Sequence, residues 1–313
     1  MARDWETAFR GWSRPPSPSE TEKMQRAEKA VREAIAADAK LQSHDVHVHL
    51  QGSYYNRTNV PGESDVDIRV EIDDVLWPDF HFVDPAARTD ATIRARLEAE
   101  ANLSDASYFY PDFKDDVGAA LVQKFGPDPA VKRGDKVYDI RENTYRVDSD
   151  CLPAFRHSRY TRNVGGRLGV SAEGIEFLTD KGVRIINFPV QQHANGIAKH
   201  EATGQKFKKM VRVMKNLRNE MHEAGRPDAG PIKSFLIECM VFNVPNPTFG
   251  HTTFHDGIRE IIRFLYINTQ SKELCDDWGD ESELRYLFRG DDELRNQANA
   301  FLLDVWVYVG FAN

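Results

Sequence analysis

Cysteine is scarce in this chain, which carries three, Cys151, Cys239 and Cys275, among 313 residues. An odd number at such wide spacing predicts neither a disulfide framework nor a zinc knuckle. The chain also lacks the run of about 18 apolar residues that a transmembrane helix needs. The first twenty residues lack an apolar core with a small-residue cleavage site, so we do not expect a secretory signal. These absences favour a cytoplasmic protein without membrane association.

Positive charge is also in short supply. The 41 Lys and Arg residues are outnumbered by 49 Asp and Glu residues, which leaves a formal net charge of -8. Proteins that wrap duplex nucleic acid usually carry a basic face and a basic pI. The composition therefore disfavours nucleic acid as the main substrate, and we expect no stable nucleic-acid partner.

Hydrophobic periodicity predicts an α/β (α+β) fold with strands early and helices late. Val46, Val48 and Leu50 alternate in a strand pattern, whereas residues after 203 show helical spacing. Strands are expected at 45–50, 65–72, 136–141, 144–152, 175–177 and 183–186, and helices at 19–40, 90–124, 203–222, 232–243, 254–269, 281–289 and 291–308. Ser19 and Glu22 form a predicted capping box. The pattern divides the chain into a mixed core with a long N-terminal helix, residues 1–186, and a helical lobe, residues 187–313.

Two aspartates, Asp65 and Asp67, lie two residues apart in the predicted strand 65–72. Because side chains alternate along a strand, both carboxylates project from the same face. Burying like charges without a partner is costly, and a divalent cation held between them removes the repulsion. A solvated strand face also carries alternating acids, so this pair alone does not decide between the two interpretations.

The context of the pair favours the functional interpretation. Gly52 and Ser53 follow the strand 45–50, where glycine lets a phosphate approach the backbone and a helix N-terminus supplies N–H donors. A phosphate cradle beside a metal-binding pair is what phosphoryl or nucleotidyl transfer requires. A third carboxylate completes two-metal sites, and Asp148 and Asp150 share one predicted strand face. Periodicity leaves the choice between these two open.

Several segments together resemble the bacterial CD-NTases, cyclic-oligonucleotide synthases related to cyclic GMP-AMP synthase, and among them the CdnE type. The segments occur in the family's order and are Gly52-Ser53-Tyr54-Tyr55, Asp65-Val66-Asp67, 150–155 (DCLPAF), 187–189 (NFP), 193–196 (HANG), 203–218 and 234–238 (SFLIE). In that family the third carboxylate precedes two apolar residues and a proline, and the resemblance therefore selects Asp150.

The resemblance implies a bilobed fold with a polymerase-β-like nucleotidyltransferase core sheet, a C-terminal helical lobe, and nucleotides bound between the lobes. It implies that two NTPs, at least one of them UTP, are joined and then cyclised with release of pyrophosphate, and the expected substrates are UTP, ATP or both. Two Mg²⁺ ions, with Mn²⁺ as an alternative, would be held by Asp65, Asp67 and Asp150. The product would act as a second messenger in CBASS antiphage defence, bound by a downstream effector, and the enzyme is expected to be a monomer.

The resemblance also assigns nucleotide contacts outside the carboxylate set. Lys206 and Lys209 share a helix face, and Lys209 better matches the triphosphate-contacting lysine, although a solvated helix face explains most lysines here. Ser234 would contact phosphate and Phe235 would stack on a base, whereas a helix cap and a core residue are the ordinary interpretations. Asn187 resembles the asparagine that favours uracil, against an ordinary turn residue before Phe-Pro.

Two alternatives of different kinds are kept. The first is another polymerase-β-like transferase that adds a nucleotide to RNA, a protein or a small molecule. The negative net charge argues against the RNA version. The second is a nucleotide-binding pseudoenzyme, against which the three intact carboxylates argue.

Overall fold

The computed structural model describes residues 3–61, 65–104 and 106–311. Contacts divide the chain into two compact units. The sheet unit comprises Ser19–Gly52 and Asp65–Pro189, and the helical unit comprises Met1–Pro18, Ser53–Ser64 and Val190–Asn313. The chain therefore passes between the units several times, once directly after Gly52.

The sheet unit contains a seven-stranded mixed sheet. Its strands are β1 (Val46–Leu50), β2 (Val66–Asp79), β3 (Val131–Arg133), β4 (Tyr138–Ile140), β5 (Ser149–Arg162), β6 (Leu168–Leu178) and β7 (Arg184–Asn187). The main order is β1-β2-β5-β4-β3, and β6 pairs with both β5 and β7. Strands β2 and β5 run parallel, whereas the other pairs are antiparallel. The two long strands β2 and β5 are therefore the centre of the sheet.

The middle of strand β2 is buried on both faces. Val66, Ile68 and Val70 point to one side and are fully buried, as their alternation predicts. On the other side Arg69 and Glu71 are also buried and form an ion pair of 2.8 Å between Nε and Oε2. A solvated face is therefore excluded for this middle part, whereas Asp67 is half-buried and Asp65, just before the strand, is exposed.

The eleven α-helices of the described chain divide between the units. They are α1 (Trp5–Trp12), α2 (Pro18–Ala37), α3 (Gly52–Asn56), α4 (Ala91–Glu100), α5 (Tyr110–Phe125), α6 (Pro189–Ala202), α7 (Phe207–Glu223), α8 (Ser234–Phe242), α9 (Phe254–Thr269), α10 (Lys272–Cys275) and α11 (Asp292–Val309). In the sheet unit, α5 packs on β5, where the rings of Phe113 and Phe155 lie 5.6 Å apart. In the helical unit, α7, α8, α9 and α11 share one apolar core, which Phe9 of α1 joins.

The predicted elements are largely confirmed, and the differences have local causes. Helix α2 begins at Pro18, so Ser19 lies inside its first turn and the predicted capping box at Ser19 is wrong. The predicted helix 203–222 begins only at Phe207, because Gly204 and Gln205 adopt positive φ and separate it from α6. Helix α6 itself was not predicted.

Four further predictions need correction. Residues 281–289 are not helical, because Gly279 pairs with Tyr286 in a β-bridge and the Asp280 carboxylate accepts the Ser282 N–H. Strand β5 continues to Arg162 and β6 begins at Leu168, well beyond the predicted bounds, where charged residues hide the alternation. The predicted helix 90–124 is two helices, because α4 ends at Glu100 and α5 begins at Tyr110. Helix α1 was not predicted, although its aromatic residues recur at helical spacing.

The observed division of the chain differs in part from the predicted one. The predicted boundary after residue 186 lies close to the division after Pro189, but the two segments 1–18 and 53–64 belong to the helical unit. For the first segment the reason is packing, since Phe9 is completely buried in the core of the helical unit. Among the described residues, no helix is both long enough and apolar enough to cross a membrane.

Candidate active site

The junction between β1 and α3 brings a glycine against an aspartate. Leu50 pairs with Ile68 at the end of the β1–β2 ladder, and the Gln51 N–H donates to the Asp67 carbonyl at 3.0 Å. Gly52 follows with a φ of +65°, and a Cβ built there would lie 1.9 Å from Asp67 Oδ2. Only glycine leaves the Asp67 carboxylate this space.

The sheet aligns three aspartates side by side. In the parallel pair of β2 and β5, Asp67 lies opposite Asp150, and in the antiparallel pair of β4 and β5, Asp139 lies opposite Asp150. Residues opposite each other on neighbouring strands project from the same face. Asp65 directly precedes β2, two residues before Asp67, and is exposed. The register therefore gathers a row of carboxylates at one end of the two central strands.

Electrostatics confirm that this row concentrates negative charge. Burial, followed by the charges of Asp139, Asp65 and Asp148 and a hydrogen bond with Asp139, raises the pKa of Asp150 to about 6. A carboxyl group that resists ionisation because of like charges is stabilised as an anion by a nearby cation. Divalent cations such as Mg²⁺ prefer carboxylate oxygens as ligands. The residues present therefore fit a divalent metal site.

Asp148 differs from Asp150 in what its side chain does. It lies immediately before β5, and its Oδ1 accepts the backbone N–H of Glu142. Its backbone carbonyl accepts the Val66 N–H at 3.1 Å, which aligns the starts of β5 and β2. Through these contacts Asp148 fixes the backbone just before β5. The structure thus gives the two acids different surroundings where periodicity could not separate them.

The predicted phosphate-contacting residues in the helical unit lie at helix starts. Ser53 is in the first turn of α3, and its carbonyl accepts the Thr58 N–H at 2.9 Å. Lys206 occupies the N-cap position of α7, and its ammonium donates to the His251 carbonyl at 2.6 Å. Lys209 lies in the first turn of α7 and is half-buried. The Lys206 side chain is thus held by a backbone carbonyl of the same unit.

Ser234 and Phe235 open α8. Ser234 is the first helical residue and not the cap, which is Lys233, and its hydroxyl accepts a hydrogen bond of 2.8 Å from Arg218. The Phe235 side chain is 44% exposed, although most of α8 is buried. The ordinary interpretation of Phe235 as a core residue is therefore excluded, and its ring is available for stacking.

Asn187 ends β7 in the sheet unit. It lies opposite Ile175 of β6 and is half-buried. The strand packs closely there, because a Cβ on Gly174 would lie 2.4 Å from the Asn187 carbonyl oxygen. Asn187 is thus held by the sheet ladder and is not a free turn residue.

Comparison with known proteins decides the family. Residues 194–310 match the cGAS/DncV-like nucleotidyltransferase C-terminal helical domain. The cyclic dipyrimidine nucleotide synthase CdnE of Cecembia lonarensis is 37% identical over 99% of this chain and 100% of that protein. The cyclic dipyrimidine nucleotide synthase CdnE of Legionella pneumophila is 38% identical over 99% of each chain. The chain belongs to the CdnE-type CD-NTases.

The fold of a CdnE-type CD-NTase is confirmed by a solved structure. The Elizabethkingia meningoseptica CdnE cyclic dinucleotide synthase, solved with GTP and Apcpp, has a TM-score of 0.75 to this chain. It is 29% identical and covers 97% of this chain and 98% of its own. The resemblance inferred from the sequence is therefore confirmed, and this CD-NTase is a nucleotidyltransferase that makes a cyclic nucleotide. Enzymes of this family typically use divalent metal ions.

Sequence reasoning missed several polar residues of this CD-NTase. Asp139 escaped notice because one acid in a three-residue strand carries no pattern, and only the register with Asp150 reveals it. Lys215, Glu238 and Glu281 are buried ionisable residues of the helical unit. The expected solvated helix face for most lysines of 199–218 is wrong, because Lys208 and Lys215 are buried and the other lysines there are half-buried. For Lys215 a signal existed, since it lies among the apolar positions of α7.

A separate polar group lies toward the other end of the β1–β2 ladder. Asp45, His47 and Asp73 place their possible metal-ligating atoms all within 4.8 Å of one another. His47 Nε2 lies 3.0 Å from Asp45 Oδ1 and 3.6 Å from Asp73 Oδ2. The side chains of Asp45 and His47 are largely exposed, and an ordinary surface ion pair accounts for the arrangement.

Proposed function

We propose that this enzyme joins two NTPs, at least one of them UTP, into a cyclic dinucleotide that serves as a second messenger in antiphage defence. The observation that carries the chemistry is the register of Asp67 with Asp150 beside Gly52. It supplies the aligned carboxylates that nucleotidyl transfer needs at one end of the sheet. An effector that binds the cyclic product completes the proposed pathway.

In this proposal Asp65, Asp67 and Asp150 hold the divalent metal ions, with Mg²⁺ as the expected metal. When bound, such ions neutralise triphosphate charge and stabilise the attacking and leaving oxygens of an in-line displacement. Gly52 keeps the space beside Asp67 free of side-chain atoms. Asp150, as a ligand of the metal, also helps to activate the attacking ribose hydroxyl, and the bound cation offsets the neighbouring negative charges that raise the pKa of Asp150.

The reaction has two transfers of the same kind. In the first, a ribose hydroxyl of one nucleotide attacks the α-phosphorus of the other, and the bond to the pyrophosphate leaving group breaks. In the second, a hydroxyl of the linear intermediate attacks the remaining α-phosphorus, which closes the ring and releases a second pyrophosphate. Each transfer forms one phosphodiester bond and releases one proton.

Base selection rests on two further residues. Asn187 is held at the end of β7, and an amide offers both a donor and an acceptor to a base edge. The exposed Phe235 ring offers a stacking surface that every base can use. Two relatives at 37% and 38% identity are cyclic dipyrimidine synthases, which supports a pyrimidine preference. Lys206, Lys209, Ser53 and Ser234 stay predicted phosphate contacts.

The test is mass spectrometry of the product formed from the four NTPs, offered singly and in pairs with Mg²⁺. We expect a cyclic dinucleotide that contains uracil and resists phosphatase. Asn187→Ala should lower the fraction of uracil incorporated without abolishing synthesis. A cyclic product formed from ATP and GTP alone, with UTP ignored in competition, would discard the pyrimidine assignment.

The alternatives give different outcomes in the same assay. A transferase that modifies RNA, a protein or a small molecule would attach labelled nucleotide to an acceptor and leave no small cyclic product. A pseudoenzyme would release no pyrophosphate, and Asp67→Asn would then change nothing.

A further inference from the structure

The helical unit buries an ion pair that the chemistry above does not use. Lys215 of α7 is 0% exposed, Glu238 of α8 is 2% exposed, and Lys215 Nζ lies 3.1 Å from Glu238 Oε2. Removing two charges from water is expensive, and their attraction offsets the cost only when further hydrogen bonds satisfy both groups. The other hydrogen-bond partners of Lys215 and Glu238 therefore indicate the role of this buried ion pair.

Those partners lie in the segment that follows Ser53. The Thr58 hydroxyl lies 3.0 and 2.9 Å from the two oxygens of Glu238 and donates its single hydrogen to this carboxylate. Asn56 Nδ2 donates to Glu238 Oε1 at 3.4 Å. Lys215 Nζ also lies 3.5 Å from the Thr58 hydroxyl. Asn56 and Thr58 are themselves buried. One carboxylate on α8 thus holds both ends of the turn that leaves α3.

Helix α6 supports the same segment from a second direction. His193 Nδ1 lies 3.1 Å from Asn56 Oδ1, and the His193 ring stacks on Tyr55 with centroids 3.8 Å apart. The family segment 193–196 therefore has a structural reason at its first position. Its last position, Gly196, leaves room for the Glu281 carboxylate, since a Cβ there would lie 2.3 Å from Glu281 Oε1.

Glu281 adds no second full negative charge beside Glu238, because its pKa is raised. Burial first, then the charge of Glu238 and a hydrogen bond with it, raise the pKa of Glu281 well above its ordinary value. In its neutral form Glu281 is able to donate to the Glu238 carboxylate. The Glu281 backbone carbonyl accepts a hydrogen bond of 3.0 Å from Asn195 Nδ2. The Glu238 carboxylate is thus compensated by Lys215 and by the hydrogen bonds from Thr58 and Asn56.

We propose that Lys215, Glu238 and Thr58, with Asn56, His193 and Glu281 around them, are positioning residues that fix Ser53 in relation to Ser234 and Phe235. We call the contacts of Lys215 and Glu238 with Thr58 the clamp. Glu238 lies one helical turn after Ser234, so one rigid helix carries both the clamp and the predicted nucleotide contacts. Ser53 in turn is tied to the clamp through its carbonyl, which accepts the Thr58 N–H. This inference rests on the proposed function for its consequence in catalysis.

The mildest test is Thr58→Val, which keeps the side-chain shape and removes the hydroxyl. Loss of a hydrogen bond to a charged group should raise the amide exchange rates of residues 53–58 about tenfold in the nucleotide-free protein. The KM for NTP should rise about tenfold while kcat changes little, because a misplaced Ser53 weakens binding before it affects the metal site. The matched control is Thr269→Val, a fully buried threonine of α9 whose hydroxyl donates to the Leu265 carbonyl.

Charge removal separates positioning from stability. Glu238→Gln leaves Lys215 buried without its counter-ion and should lower the melting temperature clearly. Lys215→Met combined with Glu238→Met removes both charges and should recover the melting temperature. The double variant should nevertheless show the raised KM and the fast amide exchange at 53–58 that are expected for Thr58→Val. The reason is that Thr58 has lost its partner Glu238. A double variant with the KM and exchange rates of the original enzyme would overturn the positioning role.

The proposed function and the positioning role can each fail without the other. If the unaltered enzyme forms no product from any NTP, the proposed function fails, while the exchange measurement still reports on the clamp. If the enzyme is active and Thr58→Val matches Thr269→Val in exchange and KM, the clamp has no positioning role and the proposed function stands.

Discussion

At the scale of single residues, surroundings separate side chains that the sequence presents as equals. Asp148 and Asp150 are two residues apart and share a strand pattern. Asp150 lies opposite both Asp67 and Asp139 on the neighbouring strands, whereas the Asp148 side chain accepts a backbone N–H from a loop. The negative charge around Asp150 is therefore a property of the register and not of the residue.

The first prediction concerns this pair. Asp150→Asn should lower the rate of pyrophosphate release at least about 100-fold, because a bound metal contributes several kcal/mol to stabilising the transition state. The matched control, Asp148→Asn, changes the same residue type on the same segment and should stay within about threefold of the original rate. Equal losses in both variants, with melting temperatures unchanged, would contradict the assignment of Asp150.

The second prediction concerns His200. Burial, followed by the charges of Lys208, Arg212 and Lys209, lowers the pKa of His200 to about 4, and its Nδ1 accepts the Lys208 N–H at 3.3 Å. Because the folded-state pKa lies below the ordinary value of about 6.5, the unfolded chain binds the proton first. The stabilisation is complete above about pH 6.5 and is lost as the pH falls toward the folded-state pKa.

Two measurements check that the pKa of His200 is lowered and that stability is lost as the pH falls. NMR titration of the His200 ring, assigned by its disappearance in His200→Gln, should show a pKa near 4. Between pH 7 and pH 5 the melting temperature should fall less for His200→Gln than for the original protein. The difference should correspond to the titration of one group. His255→Gln, at a half-exposed histidine on α9, is the control and should follow the original protein. A His200 titration midpoint above 6 would refute the prediction.

At the scale of elements, the passage from β1 into α3 depends on one residue. Gly52 has a φ of +65°, and its missing side chain leaves the space that Asp67 Oδ2 occupies. The sequence indicated a glycine turn there, and the structure adds which group fills the space. Because Gly52 has no Cβ, there is room for the Asp67 carboxylate, and the same lack of a side chain would let a phosphate approach the backbone.

The third prediction follows from this contact. Gly52→Ala introduces both backbone strain and a Cβ at 1.9 Å from Asp67 Oδ2, so Asp67 or the turn must move. Activity should fall at least about tenfold, and unfolding should become easier by roughly 1–2 kcal/mol. Gly11→Ala is the control, because nothing lies within 4 Å of its Cβ position and it sits in α1.

The control should move in the opposite direction. Alanine in place of a helical glycine is expected to stabilise the protein by up to about 1 kcal/mol without changing the rate. Rates and thermal denaturation of both variants decide the matter. A Gly52→Ala enzyme with full activity would show that Asp67 does not need its present position.

At the scale of the whole molecule, charge sets the expected partners. The net charge of -8 gives the molecule no global attraction for a polyanion, although its proposed substrates are themselves anionic. Attraction for NTPs must therefore come from local groups and from the divalent cations that accompany the triphosphates.

The fourth prediction is that duplex nucleic acid neither binds stably nor activates the enzyme. At about 0.15 M salt, fluorescence anisotropy of labelled duplex DNA or RNA should show no saturable binding at micromolar protein. Product formation should be the same with and without the duplex. Binding that weakens steeply with added salt, or a duplex-dependent rate, would reveal a basic surface that the net charge conceals.

The sequence by itself determined the features that depend on local spacing. The alternation in β2, the pair Asp65 and Asp67, the glycine turn before them and the helical second half all follow from repeats of two or about 3.6 residues. The family followed as well, because its segments stand in order along the chain. Such signals are local, and distant parts of the chain do not have to be known to detect them.

Only the tertiary structure decided which distant residues meet. The row of Asp67, Asp150 and Asp139 depends on the pairing of three strands, and the clamp joins Thr58 to Glu238 across 180 positions. Pairings of this kind are selected by the burial and hydrogen bonding of the whole chain, and no short window of sequence records them. The spacing of the acids proposed to bind metal is therefore determined by the local sequence, whereas their surroundings are determined by the fold.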